Sequence, residues 1–354
     1  MGLIEWAGMA AMRRMDPEAA HRLALKALAA GVVPLAGAPV TSDRLRVRLA
    51  GLDLPNPIGL AAGFDKNAVA IAPLSRAGFG WLEVGGATPR PQAGNPQPRL
   101  FRQPGEGAVI NRFGFNNEGA AAIGGRLAAR VRGPVPVGLN IGANKDSADM
   151  AQDFARVVAA AGAGCDFLTV NVSSPNTQGL RKLQAGELLA GILADVKAAR
   201  AALPHRPPIF VKLSPDMDEA ALTDLAQAAL EAGIDGLIAT NTTQARPNPA
   251  APHAAEAGGL SGRPLMVPST RVLARLARIT GGAVPLVGVG GIGSVDDVWQ
   301  KLRAGASAVQ LYTALAYQGL SLAAQLARGL DARLAAEGIA HVSDLTGTGI
   351  DDWL

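Results

Sequence analysis

The feature that most constrains this chain is a repeated alternation of short apolar segments with helix-like segments. Eight apolar, β-rich runs follow one another, and each ends in polar residues or glycines; they span residues 56–63, 81–87, 135–142, 167–173, 208–214, 236–242, 285–292 and 308–314. Strands that alternate with helices pair in parallel through βαβ units. Eight such units predict an α/β fold, a (β/α)8 TIM barrel. A doubly wound sheet is the alternative.

The repeat also sets the predicted domain boundary. Residues 1–42 are predicted to form a small helical N-terminal extension, and residues 43–354 are predicted to form the barrel. Ahead of the first unit, RLRVRLAGLDLPNP at 44–57 alternates apolar and polar residues as a hairpin does, with Gly51 near its turn. We expect this hairpin to cover the end of the barrel at which the strands begin.

Composition excludes several classes of function. Only 18% of the 354 residues are charged and the net charge is +4, with no dense basic run, so we expect no nucleic-acid partner. The single cysteine, Cys165, excludes an internal disulfide, a cysteine zinc site and a cysteine-ligated iron–sulfur cluster within this chain. It precedes a strand and is predicted to be a small core residue. No signal peptide is expected, because MGLIEWAG has no basic segment before an apolar block.

In a TIM barrel the active site lies at the carboxyl ends of the strands. The segments that end the eight runs contain asparagines, threonines, lysines and many glycines. None contains a histidine, and histidine acid–base catalysis is therefore not expected. No cluster of His, Asp or Glu has the spacing of metal ligands, so no metal is expected.

Two lysines at these strand ends require a partner. Lys212 lies inside the apolar run IFVKL, where a free ammonium is costly to bury, so it requires a negative group such as a phosphate or a reduced flavin. Lys66 follows Gly63-Phe64-Asp65 just after the first strand. It either pairs with Asp65 or holds the carboxylate of a substrate.

Glycines and asparagines complete the predicted mouth of the barrel. Gly290-Gly291 and Tyr312-Thr313 end the seventh and eighth strands, where such barrels often bind phosphate through backbone N–H groups; alternatively the glycines merely terminate strands. Asparagine side chains both donate and accept hydrogen bonds and suit a planar ring edged with N–H and C=O groups, although each alone is a common turn residue. The five near this mouth are Asn111, Asn140, Asn171, Asn176 and Asn241.

A set of longer segments, in order from about residue 16 to residue 320, resembles class 2 dihydroorotate dehydrogenases. These are quinone-linked, FMN-containing enzymes of pyrimidine synthesis. The segments are NPIGLAAGFDKN, TPRPQ with GNPQPRLFR, INRFGFNN, NIGANK, NVSSPNT, IATNTT, GGLSGRPL and GVGGI. The resemblance implies FMN contacts at Ala62, Gly63, Phe64, Asp65, Lys66, Gly86, Asn140, Asn171, Lys212, Thr240, Gly262, Gly291, Tyr312 and Thr313. It implies dihydroorotate contacts at Lys66, Asn111, Arg112, Phe113, Gly114, Phe115, Asn171, Asn176, Asn241 and Thr242.

The resemblance also assigns the reaction. Ser174, in NVSSPNT, matches the family's catalytic base, which takes a proton from C5 of dihydroorotate while a hydride leaves C6 for flavin N5. A serine alone is a poor base, so we hypothesise a relay through Thr177 and a water shielded by Phe115. Lys212 would stabilise negative charge on the reduced flavin. The chain departs from the family at Gly86, where a threonine usually contacts the flavin; flavin binding is still expected.

The first 40 residues contain two amphipathic helix-like segments. Asp16-Pro17 is a helix start, with an N-cap and a proline at the first helical position. The predicted apolar faces are Leu3, Trp6, Ala7 and Ala10 in the first segment, and Ala20, Leu23, Ala24, Ala27 and Leu28 in the second. The segments either cover the barrel, dock a partner, or anchor the protein to a membrane around a quinone tunnel. The resemblance implies the tunnel, with Arg102 at the quinone head group, and a monomeric peripheral protein on the cytoplasmic face of the inner membrane.

Two rival enzymes share the fold expectation. A dihydrouridine synthase acting on tRNA would require a cysteine in its site and a basic surface, but Cys165 precedes its strand instead of following it. A sugar-phosphate isomerase or aldolase would use Lys212 as a Schiff base.

Overall fold

The computed structural model describes residues 2–177, 179–184 and 186–354, and its centre is a closed barrel of eight parallel strands. The strands are β1 (Val47–Leu49), β2 (Leu52–Leu54), β3 (Ile58–Leu60), β4 (Trp81–Ala87), β5 (Leu100–Gln103), β6 (Ala108–Asn111), β7 (Val137–Ile141), β8 (Phe167–Asn171), β9 (Ile209–Leu213), β10 (Gly236–Ala239), β11 (Gly259–Gly262), β12 (Leu286–Val289) and β13 (Ala306–Leu311). The helices are α1 (Leu3–Met12), α2 (Pro17–Ala29), α3 (Ile71–Leu74), α4 (Ala120–Ala129), α5 (Met150–Ala161), α6 (Gly186–Ala201), α7 (Glu219–Glu231), α8 (Met266–Thr280), α9 (Val295–Arg303), α10 (Leu315–Gln318) and α11 (Leu322–Ala336).

The order of strands around the barrel follows their order along the chain. The sequence is β3, β4, β7, β8, β9, β10, β12 and β13, and β13 pairs with β3 to close it. Seven of the eight predicted runs contain one of these strands and the eighth overlaps β13, so the predicted barrel is confirmed and the doubly wound sheet is wrong. Every residue of β7, β8 and β9 is buried, as expected for strands covered on both faces.

Aromatic rings fill the end of the barrel at which the strands begin. Trp81, Phe167 and Phe210 stand near the starts of β4, β8 and β9, with ring centroids 5.4 and 5.7 Å apart. The neighbouring strands carry glycine beside each ring, and a Cβ at Gly138 would lie 2.2 Å from Phe167. Because large side chains occupy this end, a ligand can enter only at the carboxyl ends of the strands.

The predicted hairpin is also present. β1 and β2 pair antiparallel around Gly51, whose φ of 84° favours glycine, and Leu49 and Leu54 are buried in the main core. The chain then passes through Asn56 into the beginning of β3. The buried Asn56 amide donates to the carbonyls of Val40 and Gly78, which ties the hairpin region to the same end of the barrel.

A second, antiparallel sheet was missed by the sequence reading. It has the order β11–β6–β5, and its own small core is formed by Phe101, Ala108, Ile110 and Leu260. β5 and β6 lie in the segment after β4, and β11 lies in the segment after β10. Since both segments leave the carboxyl ends of barrel strands, this sheet stands beside the mouth of the barrel.

Of the two N-terminal helices, α2 begins as predicted, whereas α1 exposes much of its predicted apolar face. Asp16 caps α2 by accepting a hydrogen bond from Ala19 N at 2.9 Å, and Pro17 is its first residue. In α1, Leu3, Ile4 and Trp6 are largely exposed, at 81%, 70% and 57%. None of the helices in the described ranges is long and apolar enough to cross a membrane. The division of the chain at residue 42 stays a prediction.

Candidate active site

One large cavity, of about 1140 Å³, opens at the carboxyl ends of the barrel strands and continues to α1 and α2. The parallel strands bring residues far apart in sequence to this edge. The predicted site residues that line it are Ala62, Gly63, Phe64, Lys66, Gly86, Arg102, Asn111, Phe113, Gly114, Phe115, Asn140, Asn171, Ser174, Asn176, Lys212, Thr240, Asn241, Thr242, Gly262, Gly291, Tyr312 and Thr313.

Three predicted residues do not line the cavity. The Asp65 carboxylate is buried behind it and accepts hydrogen bonds from Val69 N at 3.0 Å and Ala70 N at 2.7 Å. The Arg112 guanidinium pairs with Glu256 at 2.6 Å. Thr177 is buried, and its hydroxyl has no hydrogen-bond partner within the described part of the chain. Asp65 and Arg112 therefore have structural contacts of their own.

The asparagines form connected amide pairs across the mouth. Asn171 donates to the Asn140 carbonyl at 2.9 Å, and Asn241 donates to the Asn171 carbonyl at 3.2 Å. Asn176 donates to the Asn111 carbonyl, also at 3.2 Å. Because the five amides meet in two clusters on the cavity wall, they are not isolated turn residues.

The two lysines occupy different levels of the cavity. Lys66 donates to Gly63 O at 2.9 Å and lies 4.1 Å from the centre of the Phe113 ring. It forms no ion pair with Asp65, so the simple pairing considered from the sequence is wrong. Burial lowers the pKa of Lys66 to about 8. Lys66 is thus a cation directed at the cavity and free to meet an anionic group.

Lys212 lies deeper, on β9, and only 6% of it is exposed. Burial lowers the pKa of Lys212, while the negative charge of Glu83 raises it. Glu83, on β4, was missed because it lies in a run that is otherwise apolar, WLEVGGA. It is fully buried and accepts hydrogen bonds from Asn140 and Gln310.

The two serines of NVSSPNT have different surroundings. Ser173 is fully buried, and its hydroxyl donates to the Asn171 carbonyl oxygen at 3.1 Å. Ser174 lines the cavity, and its hydroxyl oxygen accepts from Asn176 N at 3.3 Å. Of the two candidates, Ser174 is the one that a ligand in the cavity can reach.

Gly86 leaves space that an aromatic ring fills. A Cβ at this position would lie 2.6 Å from the Phe115 ring, and a Cβ at Gly142 would lie 3.0 Å from the same ring. The two glycines therefore form a slot for Phe115 at the cavity wall. A side chain at Gly86 would require this ring to move.

The far end of the cavity is rich in glycine. Gly290 and Gly291 follow β12 with φ values of 114° and 81°, and a Cβ at Gly291 would lie 2.5 Å from Met266. Gly262 has a φ of 96° and lies against Gly107. These positions accept only glycine without strain, and their exposed backbone suits close approach of a phosphate.

His21, which the sequence analysis placed outside the site, lies at the end of the cavity beside α2. His21, on α2, faces the cavity, and its Nε2 lies 2.8 Å from Phe64 O. Because a carbonyl only accepts, this nitrogen carries the proton. Its ring contacts Phe64 and Tyr312, with centroids 5.2 and 6.1 Å away. Burial and the Lys66 charge lower the pKa of His21 to about 4, so it is neutral.

Arg102 lies where α1 ends. Its guanidinium donates to the carbonyls of Arg13 at 2.9 Å, Met15 at 3.2 Å and Met12 at 3.2 Å. These are acceptors at and after the last turn of α1, which a cation stabilises. Arg102 also lines the cavity, so it joins the helical segment to the barrel mouth.

The family model described as dihydroorotate dehydrogenase matches residues 44–334. The chain belongs to the dihydroorotate dehydrogenase family. It is 59% identical, over the whole of both chains, to dihydroorotate dehydrogenase (quinone) of Cereibacter sphaeroides strain KD131. It is 50% identical to the enzyme of that name from Parvibaculum lavamentivorans, covering 96% of this chain and 97% of the other.

Solved structures of the family agree with the fold. A crystal structure of dihydroorotate dehydrogenase (DHODH) in complex with ferulenol from Eimeria tenella superposes with a TM-score of 0.90 at 38% identity, over 94% of this chain and 95% of that one. A ligand-free structure of the E. tenella protein gives the same TM-score at 39% identity. The chain is thus an oxidoreductase of the quinone-dependent dihydroorotate dehydrogenase type.

Membership in the dihydroorotate dehydrogenase family removes both rival enzymes. The structure adds physical reasons against the first of them. Cys165 is fully buried, donates to Gly162 O and has its pKa raised to about 12 by burial, so it is no acid for a site. In the described ranges, no group of three or more His, Cys, Asp or Glu side chains is placed to hold a metal ion.

Proposed function

We propose that this chain oxidises (S)-dihydroorotate to orotate in de novo UMP synthesis, with FMN as hydride acceptor and a membrane quinone as final electron acceptor. The observation that carries the proposal is the single cavity that joins the polar strand ends to the apolar N-terminal helices. A two-stage redox enzyme needs a polar site for its substrate and an apolar path for its quinone, and one cavity here offers both.

The residues fit FMN. The glycines Gly262, Gly290 and Gly291 offer backbone N–H groups to a phosphate. The connected amides of Asn140, Asn171 and Asn241, called the amide row below, offer hydrogen bonds to a planar ring. Two polar groups beneath the row lack partners in the described chain: the Lys212 ammonium makes no ion pair, and the Gln310 carbonyl oxygen accepts no hydrogen bond. When bound, FMN accepts a hydride from the substrate and returns two electrons to a quinone.

The FMN-holding set that we propose is the one expected from the family resemblance. Lys212, Asn140 and Asn171 would hold the ring, and the remaining contacts would come from Ala62, Gly63, Phe64, Asp65, Lys66, Gly86, Thr240, Gly262, Gly291, Tyr312 and Thr313. Asp65 would contribute only through its backbone, since its carboxylate caps Val69 and Ala70.

Substrate would lie between Lys66 and the asparagines. The Lys66 ammonium is the cation available for the carboxylate of dihydroorotate, and Asn111, Asn176 and Asn241 would bind its ring amides. Phe113, Gly114, Phe115, Asn171 and Thr242 complete the proposed contacts, and Arg112 would act by supporting this segment through Glu256. Hydrogen bonds to the substrate carbonyls stabilise charge that develops as the C5 proton leaves.

Ser174 would remove that proton. Its hydroxyl faces the cavity, and within the described residues its oxygen has one protein donor, Asn176 N. The proton must move onward, and the Thr177 hydroxyl, three residues away and without a partner among the described residues, supports our hypothesis of a relay through a water. Phe115 would shield that water from solvent.

The N-terminal helices would form the entrance for quinone. The predicted face of α2 (Ala20, Leu23, Ala24, Ala27 and Leu28) lines the cavity, together with Ile4, Gly8, Met9 and Met12 of α1. Leu3 and Trp6, predicted to share one face of α1, point away from it and remain exposed for contact with lipid. We therefore propose a monomeric peripheral protein on the cytoplasmic face of the inner membrane, with Arg102 near the quinone head group.

An anaerobic experiment tests the whole proposal. Purified protein is mixed with dihydroorotate, and the visible absorbance of the flavin is followed before a ubiquinone analogue or NAD⁺ is added. Bleaching that is reversed by the quinone alone is the expected result. A yellow protein that is not bleached would mean that the substrate is wrong, and recovery with NAD⁺ would mean that the acceptor is wrong.

A further inference from the structure

A buried carboxylate, that of Glu83, lies beneath the amide row, and none of the proposed ligand contacts involves it. Glu83 is fully buried inside the barrel. One oxygen accepts from Asn140 Nδ2 at 2.6 Å, and the other accepts from Gln310 Nε2. No cation of the described chain lies within ion-pair distance of it. A carboxylate without a close counter-ion is costly to bury, and such a group calls for a functional explanation.

The hydrogen bonds of Glu83 fix the Asn140 end of the row. A carboxylate only accepts, so the Asn140 amide must direct its NH₂ at Glu83 and its carbonyl away. That carbonyl can then receive only a donor, which is Asn171 Nδ2 at 2.9 Å. The Asn171 carbonyl in turn receives Asn241 Nδ2 at 3.2 Å. The charge on β4 thus orients Asn140 in agreement with the other two amides, whose carbonyls also accept from the backbone, Asn171 from Ser173 N at 3.3 Å and Asn241 from Thr242 N at 2.8 Å.

The selected orientation decides what the row offers to a ligand. Within the described chain, Asn140 and Asn171 each have one N–H without a protein acceptor, because each spends only one of its two donors on the row. Both carbonyls are already occupied. The row therefore presents N–H donors to carbonyl oxygens or ring nitrogens of a ligand, and reversing it would present carbonyl acceptors instead.

Glu83 also provides the negative charge that acts on Lys212. The lysine makes no ion pair within 4 Å among the described residues, and burial favours its neutral form. The negative charge of Glu83 opposes that effect by raising the pKa of Lys212.

We propose that Glu83 is a positioning residue of this site: its carboxylate holds Asn140 as a donor and, together with Ser173 N and Thr242 N, keeps the Asn140–Asn171–Asn241 row in one direction. This inference rests on the proposed function for the identity of the ligands, FMN and orotate. Glu83 acts through its neighbours and does not itself meet the substrate. The alternative is that it only satisfies two buried amides as part of the barrel core.

The test compares Glu83→Gln with a matched control in the purified, flavin-loaded full chain. Glutamine preserves the shape of the side chain, removes the charge and adds a donor, so Asn140 is no longer held in one orientation from below. The control is Asp153→Asn, which neutralises another buried carboxylate, on α5, that accepts from Asn144 N and lies outside the cavity. Two quantities are measured: the dissociation constant of orotate, from the shift of the flavin spectrum, and the midpoint potential of the flavin against pH.

Glu83→Gln should weaken orotate at least tenfold, since buried polar groups of the site are left mispaired. Removing the Glu83 charge should also lower the pKa of Lys212, which appears as a break in the midpoint potential at lower pH than in the wild type. The double variant Glu83→Gln/Lys212→Arg should lack that break, because arginine stays charged. Asp153→Asn should behave as the wild type in both measurements. If Glu83 had only a structural role, adding Lys212→Arg would not change the behaviour of Glu83→Gln.

The outcomes separate this inference from the proposed function. Orotate affinity within about twofold of wild type, together with no shift of the break, would overturn the role of Glu83. If the wild type is yellow but dihydroorotate does not reduce it, only the proposed substrate is wrong, because the midpoint potential of the flavin still tests the role of Glu83. If Glu83→Gln does not fold, Asn140→Leu replaces it, because this variant keeps the carboxylate but interrupts the row. Asn140→Leu should weaken orotate binding without shifting the break in the midpoint potential. Unchanged orotate affinity would show that the orientation of the row does not matter for binding.

Discussion

The Glu18 carboxylate and the Arg99 guanidinium form a two-pronged ion pair, with N–O distances of 2.7 and 3.0 Å. It joins α2 of the N-terminal segment to the chain just before β5, at the barrel mouth. Only 9% of the Arg99 side chain and 11% of the Glu18 side chain is exposed. The pair is therefore a buried clamp between the proposed quinone entrance and the substrate end of the cavity.

Removing one partner of this clamp should be costly. Glu18→Gln leaves the Arg99 charge buried without its partner, and we expect a loss of about 3–5 kcal/mol in the free energy of unfolding. Replacing both partners, in Glu18→Gln/Arg99→Met, should recover part of that loss. Asp351→Asn breaks the exposed pair with Arg278 and should change stability by less than about 1 kcal/mol. Denaturant unfolding measures all three variants; equal effects of Glu18→Gln and Asp351→Asn would show that the clamp is not buried in solution.

The same pair acts on the substrate lysine, which gives a pH prediction. Burial lowers the pKa of Lys66 to about 8, the Glu18 charge raises it and the Arg99 charge lowers it. Lys66 is protonated below that pH, so affinity for orotate should be full near neutrality and fall as pH rises through about 8. Lys66→Arg should bind without this alkaline loss, because a guanidinium stays charged. Spectral titrations of the flavin with orotate at several pH values measure it, and an identical loss in Lys66→Arg would assign the titration to another group.

Ser174 and Thr177 should differ in their effects on flavin reduction. Ser174→Ala removes the proposed base and should slow reduction by dihydroorotate at least a hundredfold while FMN stays bound. Thr177→Val, which keeps the shape of a buried side chain with an unpartnered hydroxyl, should slow it less. Stopped-flow absorbance under anaerobic conditions measures both rates. An unchanged rate in Ser174→Ala would remove its catalytic role, and one in Thr177→Val would remove the relay alone.

How far the sequence predicts the fold depends on how local the signal is. The eight barrel strands are recognisable because strands buried on both faces are continuous apolar runs, and α2 is recognisable from Asp16-Pro17. The sheet of β5, β6 and β11 is not recognisable, since each strand has only four residues. The strand that β6 pairs with, β11, also lies far along the chain, with Asn111 opposite Gly259. Such short strands give no clear alternation of polar and apolar residues.

The site shows the same limit. Strand ends supply most of the cavity lining, so topology alone collects those residues. His21 reaches the cavity only because α2 docks on the barrel, a contact that no local pattern encodes. Glu83 and Lys301 are both fully buried although their side chains are charged. Lys301 lies on the amphipathic helix α9, where a lysine is expected to face solvent, yet it donates to Ser269 Oγ at 2.6 Å. Their burial follows from packing on all sides, which periodicity does not describe.

The exposed apolar residues of α1 allow a direct test of membrane attachment. Leu3 and Trp6 are exposed at 81% and 57%, and Arg14, Arg22 and Lys26 are exposed on the same segment, as suits an anionic lipid surface. Burying one leucine contributes about 1.5–3 kcal/mol. Leu3→Glu/Trp6→Ser should therefore lower binding to anionic vesicles by about tenfold or more.

The control for this variant lies at the opposite end of the barrel. Val131 is 96% exposed between α4 and the beginning of β7, and Val131→Glu should leave vesicle binding unchanged. Co-sedimentation with vesicles measures binding, and reduction of a short-chain soluble quinone shows whether the site remains intact. We expect Leu3→Glu/Trp6→Ser to keep that soluble activity while losing turnover with long-chain quinone held in vesicles. If it binds vesicles as the wild type does, α1 is not the membrane contact and the N-terminal segment instead covers the barrel or docks a partner.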